Sequence, residues 1–178
     1  MTPAADLARR IEVSVADTVS DVTQTSDVTI SMASNDQASR ALWMDPNKGV
    51  FANMPKGSVG IEASTITNGW ASELGQAAAA AKVDFLEAPM VGSRPQADAG
   101  TLFVLAGGDE IVLEKVRPVL ESYSGAIQSV GPVGNAATMK LAINGLFGVQ
   151  VAAYAEMVGM LQQSPIPTQL AFDTLTIR

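Results

Sequence analysis

GPVGNAATMKLAINGLFGVQVAAYA, residues 131–155, is the stretch on which the fold turns. Its one charged side chain is Lys140, and no other falls between Glu121 and Glu156. The glycines and proline of 131–134 predict a stop followed by a helix start. From Asn135 the pattern suits a helix running to about Gln163, with Lys140 and Asn144 four apart on one face. Strands alternate with helices before this stretch and only helices follow it, so a domain boundary is expected near 131–134.

An ammonium group on an apolar helix loses hydration, which lowers its pKa toward the range useful for proton transfer. The chain has no histidine and no cysteine, so the usual neutral-pH base and soft nucleophile are absent. Lys140 is therefore the leading acid/base candidate. The competing reading is a lysine that lays its methylenes on an apolar surface and holds its head in water. The residues alone leave both readings open.

Outward from this stretch, β-branched and apolar runs predict strands at 28–32, 58–63, 83–86, 101–106 and 126–130. Between them lie expected helices at 37–43, 67–82 and 109–123, the last broken late by Pro118 or turning anew there. Asp17 is expected to cap a helix over 17–24, residues 11–15 to be a short extended piece, and 90–100 to be a loop. A helix over 168–178 follows the Ser164–Pro167 break. The pattern predicts an α/β layer with a mainly parallel sheet, followed by a helical region.

Composition narrows the function classes. The 178 residues are 47% apolar and 16% charged, which suits a globular chain. A net charge of −7, with no basic block, argues against nucleic acid or an anionic membrane as partner. Without cysteine or histidine, disulfides and thiolate or zinc metal sites are not expected. The first residues lack a signal-type apolar core, and no uninterrupted apolar run reaches membrane-spanning length. A cytoplasmic location is the expectation.

In open α/β sheets, ligands bind at the carboxyl ends of strands. Three polar stretches fall at predicted strand ends: Ala33-Ser34-Asn35, Ser64-Thr65 and Gly92-Ser93. Turn chemistry alone also places such residues there. Glu87 ends a strand, and Arg94 follows Ser93; a lone carboxylate and a loop arginine are weak signals. No G-x-G-x-x-G occurs, so the dinucleotide fingerprint is missing.

Four segments together resemble the β-hydroxyacid dehydrogenases, the family of 3-hydroxyisobutyrate dehydrogenase and of tartronate-semialdehyde and glyoxylate/succinic-semialdehyde reductases. FLEAPMVGSRPQADAGTLFVLAGG (85–108) resembles the family's substrate loop, and GPVGNAATMKLAIN (131–144) its catalytic-lysine segment. SDVTISMASNDQASRAL (26–42) and EASTIT (62–67) resemble its later cofactor-contacting stretches. The resemblance covers essentially the whole chain. It implies a partial Rossmann domain over 1–131 and, over 132–178, a long interdomain helix and the beginning of an all-α domain. It implies NAD or NADP as cofactor and a short β-hydroxyacid as small-molecule substrate. Lys140 would be the general acid/base. Gly92, Ser93, Asn144 and Val91 would line the substrate, and Ala33, Ser34 and Thr65 the cofactor. No metal is implied.

Two departures matter. Val91 stands where the family often has serine, so a hydroxyl donor is lost. Ala136 replaces a family glycine. The resemblance also implies that this is an internal piece of a longer enzyme, without its glycine-rich first βαβ or most of its helical domain. Such a chain would expose a sheet edge and an apolar face, and is expected to be poorly stable or to associate, with a homo-oligomer as the family habit. An alternative is a non-catalytic remnant that serves only as a folding or assembly module. An FMN- or phosphate-binding α/β domain fits poorly, for want of a phosphate loop.

Overall fold

The computed structural model describes residues 3–176. In chain order its elements begin with α1 (Pro3–Ile11), α2 (Val19–Thr23), β1 (Val28–Ser31), α3 (Asp36–Met44), α4 (Val50–Asn53), β2 (Val59–Glu62), α5 (Asn68–Ala81) and β3 (Asp84–Glu87). They continue with β4 (Met90–Val91), α6 (Arg94–Asp98), β5 (Leu102–Gly108), α7 (Glu110–Glu121), β6 (Ser124–Ser129), α8 (Asn135–Gln162) and α9 (Thr168–Thr176).

β1, β2 and β3 run parallel and side by side, so their carboxyl ends share one edge of the sheet. β5 pairs antiparallel with β3 and β4, and parallel with β6. The six-stranded sheet is mixed, with three of its five pairings parallel. The fold is α/β and Rossmann-like.

Alternation along the strands sends side chains to two cores. Trp43, Trp70, Leu74, Phe85 and Ala137 pack on one face, and Val59, Ile61, Leu86, Val104, Leu113 and Leu120 on the other. Burying each of the larger side chains stabilises the fold by roughly 1.5–3 kcal/mol. In β5, Gly107 lies opposite Glu87 of β3. A Cβ on Gly107 would collide with Glu87 Oε1, so only glycine leaves room for that carboxylate.

Several expectations are corrected. Thr18, not Asp17, caps α2: its hydroxyl accepts from the Asp21 N–H, and Asp21 reaches back to the Thr18 N–H. Residues 11–15 form no strand; Ile11 ends α1. The 90–100 segment is not all loop, because Met90 and Val91 pair with β5 and Pro95 at a helix start favours α6. β5 runs through Gly107 and Gly108 instead of closing before them. Pro118 sits inside α7 without ending it. Ile177 and Arg178 of the expected last helix lie outside the described residues.

The chain divides into two compact units, Met1–Lys140 and Leu141–Arg178. The first holds the sheet. In the second, α8 continues with apolar residues all round, and Leu146, Phe147, Val149 and Met160 are exposed. α8 has 28 residues and holds an 18-residue window with a mean hydropathy of 1.3, long and apolar enough by those criteria to cross a membrane. Lys140 and Glu156 interrupt its apolar run, so the helix meets the criterion without an uninterrupted apolar stretch of spanning length. The first turn of α8 belongs to the sheet unit, where Ala136 and Ala137 are buried.

Candidate functional site

The loops that leave β1 and β2 are locked to each other. Glu62, the last residue of β2, is fully buried, and its carboxylate takes four donors. Oε2 accepts from Ser31 Oγ at 3.2 Å, Ser39 Oγ at 2.5 Å and Trp43 Nε1 at 2.8 Å; Oε1 accepts from the Ser64 N–H at 2.8 Å. Ser64 Oγ in turn accepts from the Ala33 N–H at 2.6 Å. Asp36 adds a second clasp, accepting from the Thr67 N–H and hydroxyl. Ala33 is thus half-buried and fixed, while Ser34 and Thr65 stand exposed on rigid loops.

The start of α8 is fastened to the same edge. Glu87, the last residue of β3, is buried, and Oε1 accepts from the N–H groups of Gly134 at 2.6 Å and Ala136 at 2.7 Å. Oε2 accepts from the Ala137 N–H at 3.3 Å. These are donors that a helix leaves unsatisfied in its first turn, and the positive end of the helix dipole suits a carboxylate there. Burial pushes the Glu87 carboxyl above the usual range, and the three N–H donors pull it part of the way back. Asn68, at the start of α5, donates to Gly134 O at 2.9 Å and Thr138 Oγ1 at 2.8 Å.

Lys140 follows one turn after Ala136. It is half-buried, and loss of hydration lowers its pKa from the ordinary lysine value. Among the described residues it forms no ion pair. Asn144 lies one turn further along α8 and is exposed.

The Gly92–Ser93 loop follows β4. Gly92 has φ +132°, a conformation that side chains rarely adopt. The Ser93 N–H and Oγ both donate to Gln96 Oε1, each at 2.9 Å. Those donors are engaged within the loop and reach a ligand only by exchanging partners. Val91 is half-buried beside them and pairs with Phe103.

The first two loops and the start of α8 are therefore tied together, through Ser64, Asn68, Glu62 and Glu87. Sequence reasoning passed over the two glutamates as fasteners. Their signal was present: VGIE and DFLE are two strands that each end in a carboxylate. A buried carboxylate needs donors, so each strand end pointed to a loop that supplies them.

Comparison with known proteins adds a family. The family model of the NAD-binding domain of 6-phosphogluconate dehydrogenase matches residues 2–131. L-threonate dehydrogenase of Pectobacterium atrosepticum is 33% identical over 128 residues, 71% of this chain and 42% of that protein. NAD-dependent L-serine dehydrogenase of Pseudomonas aeruginosa is 34% identical over 147 residues, 83% of this chain and 49% of that protein. The solved structure of Mycobacterium tuberculosis 3-hydroxyisobutyrate dehydrogenase with L-serine superposes with a TM-score of 0.84 at 29% identity, covering 98% of this chain and 60% of that one. The chain spans less than half the length of these two curated relatives.

Proposed function

The chain belongs to the NAD-binding domain family of 6-phosphogluconate dehydrogenase, among the β-hydroxyacid dehydrogenases, and on that premise we propose that it carries the hydride-transfer region of an NAD(P)-dependent oxidoreductase acting on a short β-hydroxyacid. One observation carries the reading. The loops of Ala33–Ser34 and Ser64–Thr65 are hydrogen-bonded to each other, and Asn68 ties the second to the start of the helix that bears Lys140.

These residues fit a dinucleotide in part. Ser34 and Thr65 offer exposed polar groups on fixed loops at the carboxyl edge of parallel strands, where such ligands bind. Ala33 would bring backbone close to the cofactor. When bound, the nicotinamide supplies the hydride chemistry. The chain's own residues handle the proton. With its pKa lowered by burial, Lys140 Nζ takes the substrate hydroxyl proton in oxidation and returns one in reduction. Gly92 and Ser93 hold the substrate carboxylate once Ser93 releases Gln96, with Val91 as an apolar wall. Asn144 hydrogen-bonds the substrate. Residues 1–131 act as part of the dinucleotide-binding domain, and 132–178 as the interdomain helix and the beginning of the helical domain.

Titration of the purified chain with NADH and NADPH, followed by nicotinamide fluorescence, tests this reading. Saturable binding weakened by substitution of Ser34 and Thr65 is expected. A folded chain that binds neither coenzyme would overturn the cofactor role and favour an assembly module.

A further inference from the structure

Three backbone N–H groups at the start of α8, those of Gly134 just before it and of Ala136 and Ala137 in its first turn, converge on one carboxylate from another element, and Lys140 follows a single turn later. The carboxylate of Glu87 is 47 to 50 residues away in sequence, so the bond fixes the helix to the sheet and does more than cap it locally. The space for it is made by Gly107, where any side chain would collide. An ordinary helix cap comes from the residue just before the helix and satisfies one or two donors. Here a buried group on β3 satisfies three. Because an α-helix is stiff, holding its first turn holds the Cα of the residue one turn on.

We propose that Glu87 is a positioning residue for the proton-transfer step: its carboxylate sets the first turn of α8 on the carboxyl edge of the sheet, and so sets the place of Lys140. This rests on the reading of Lys140 as the proton carrier. Glu87 itself touches no reacting atom. Both of its oxygens are occupied by backbone donors, and it transfers no proton. Oε1 takes two of the three bonds, so an amide oxygen in its place keeps most of the geometry and removes the charge. A hydrocarbon of similar size removes both.

The test compares the 178-residue chain with Glu87→Gln and Glu87→Leu variants by two measurements. Amide hydrogen exchange at Gly134, Ala136 and Ala137 reads the anchor. Competitive acetylation across pH reads the surroundings of the Lys140 amine, variant against parent chain. Glu87→Leu should speed exchange at the three amides at least tenfold, and Glu87→Gln should do so much less. In Glu87→Leu the Lys140 amine should gain water and its labelling midpoint should rise toward the ordinary lysine value, while Glu87→Gln stays near the parent chain.

A Glu87→Leu chain in which the amides are released but the Lys140 midpoint is unchanged would overturn the proposal, since Glu87 would then serve stability alone. Unchanged exchange in both variants would overturn it as well. If Glu87→Leu fails to fold, Glu87→Gln decides: a Lys140 midpoint that shifts despite retained amide protection contradicts positioning through the backbone, and coincident midpoints support it. Neither measurement uses coenzyme. A parent chain that binds no coenzyme would therefore count against the dehydrogenase reading without touching the anchor itself.

Discussion

Glu62 and Glu87 are register partners on adjacent parallel strands, and both are buried. Paired residues on neighbouring strands project to the same face, so two carboxylates end up side by side under the carboxyl edge. Each is supplied with its own donors: hydroxyls, an indole and one backbone N–H for Glu62, and the first turn of α8 for Glu87. One fastens the two loops proposed for the cofactor, and the other fastens the helix of Lys140.

Glu62→Ala should be severely destabilising. It strands the Trp43 indole N–H, the Ser39 hydroxyl and the Ser64 N–H, each a buried donor whose loss of partner costs roughly 1–3 kcal/mol. A loss of at least about 3 kcal/mol is expected in urea denaturation. The chain's two tryptophans both bond into this network, Trp43 to Glu62 and Trp70 to Ser39. Their emission should shift to the red in the variant, even where the fold survives.

Lys140 should make stability depend on pH in a defined direction. Its folded pKa lies below 10.5, so between those two values the unfolded chain holds more protons than the folded one. Stability therefore rises with pH through that window. Lys140→Met removes the titrating group. The stability of the parent relative to this variant should increase from neutral pH toward 10.5, measured by urea denaturation at a series of pH values; a difference that falls would contradict the assignment.

Gly92→Ala should cost about 1–3 kcal/mol, because a side chain is forced into φ +132°. The added Cβ also presses on Leu102 and Gln96. Thermal denaturation checks the cost. Gln96→Ala acts on the same loop differently. It frees the Ser93 N–H and hydroxyl at a cost below about 1 kcal/mol, as expected of an exposed residue, and should speed amide exchange at Ser93.

The chain should associate in solution. Ile30 and Met32 near the free edge of β1 are exposed, as are Leu146, Phe147, Val149 and Met160 on α8. Sedimentation velocity is expected to show species larger than the monomer at micromolar concentration. A compact monomer with cooperative unfolding would contradict this.

Much of the fold is legible in local pattern. β1, β2, β3, β5 and β6 fall where β-branched and apolar runs predict them, and α5 lies between its caps Thr67 and Lys82, the two ends of the helix that the pattern predicts. What local pattern misses has a common cause. Asp17 and Thr18 are both acceptable caps, and only the reciprocal bond to Asp21 selects Thr18. α6 is a five-residue helix, too short for a periodic signal. Pro118 is tolerated because the core face of α7 is held by Leu113, Val116 and Leu120. The fastening by Glu62 and Glu87 is invisible along the chain, since their partners lie up to 50 residues away. Lys140 was legible as a residue without company; what holds its helix was not.

Gly107 gives the molecule a constraint that outlasts any single chain. Its missing side chain is the volume that Glu87 Oε1 occupies, so the two positions share one space. Descendants of this sequence are not free to alter them separately. A larger residue at 107 becomes tolerable only after the acid at 87 shortens or leaves, and the start of α8 then needs another acceptor. In a lineage that kept the helix in place, drift at these two sites should therefore be coupled, with glycine and glutamate retained or exchanged as a pair.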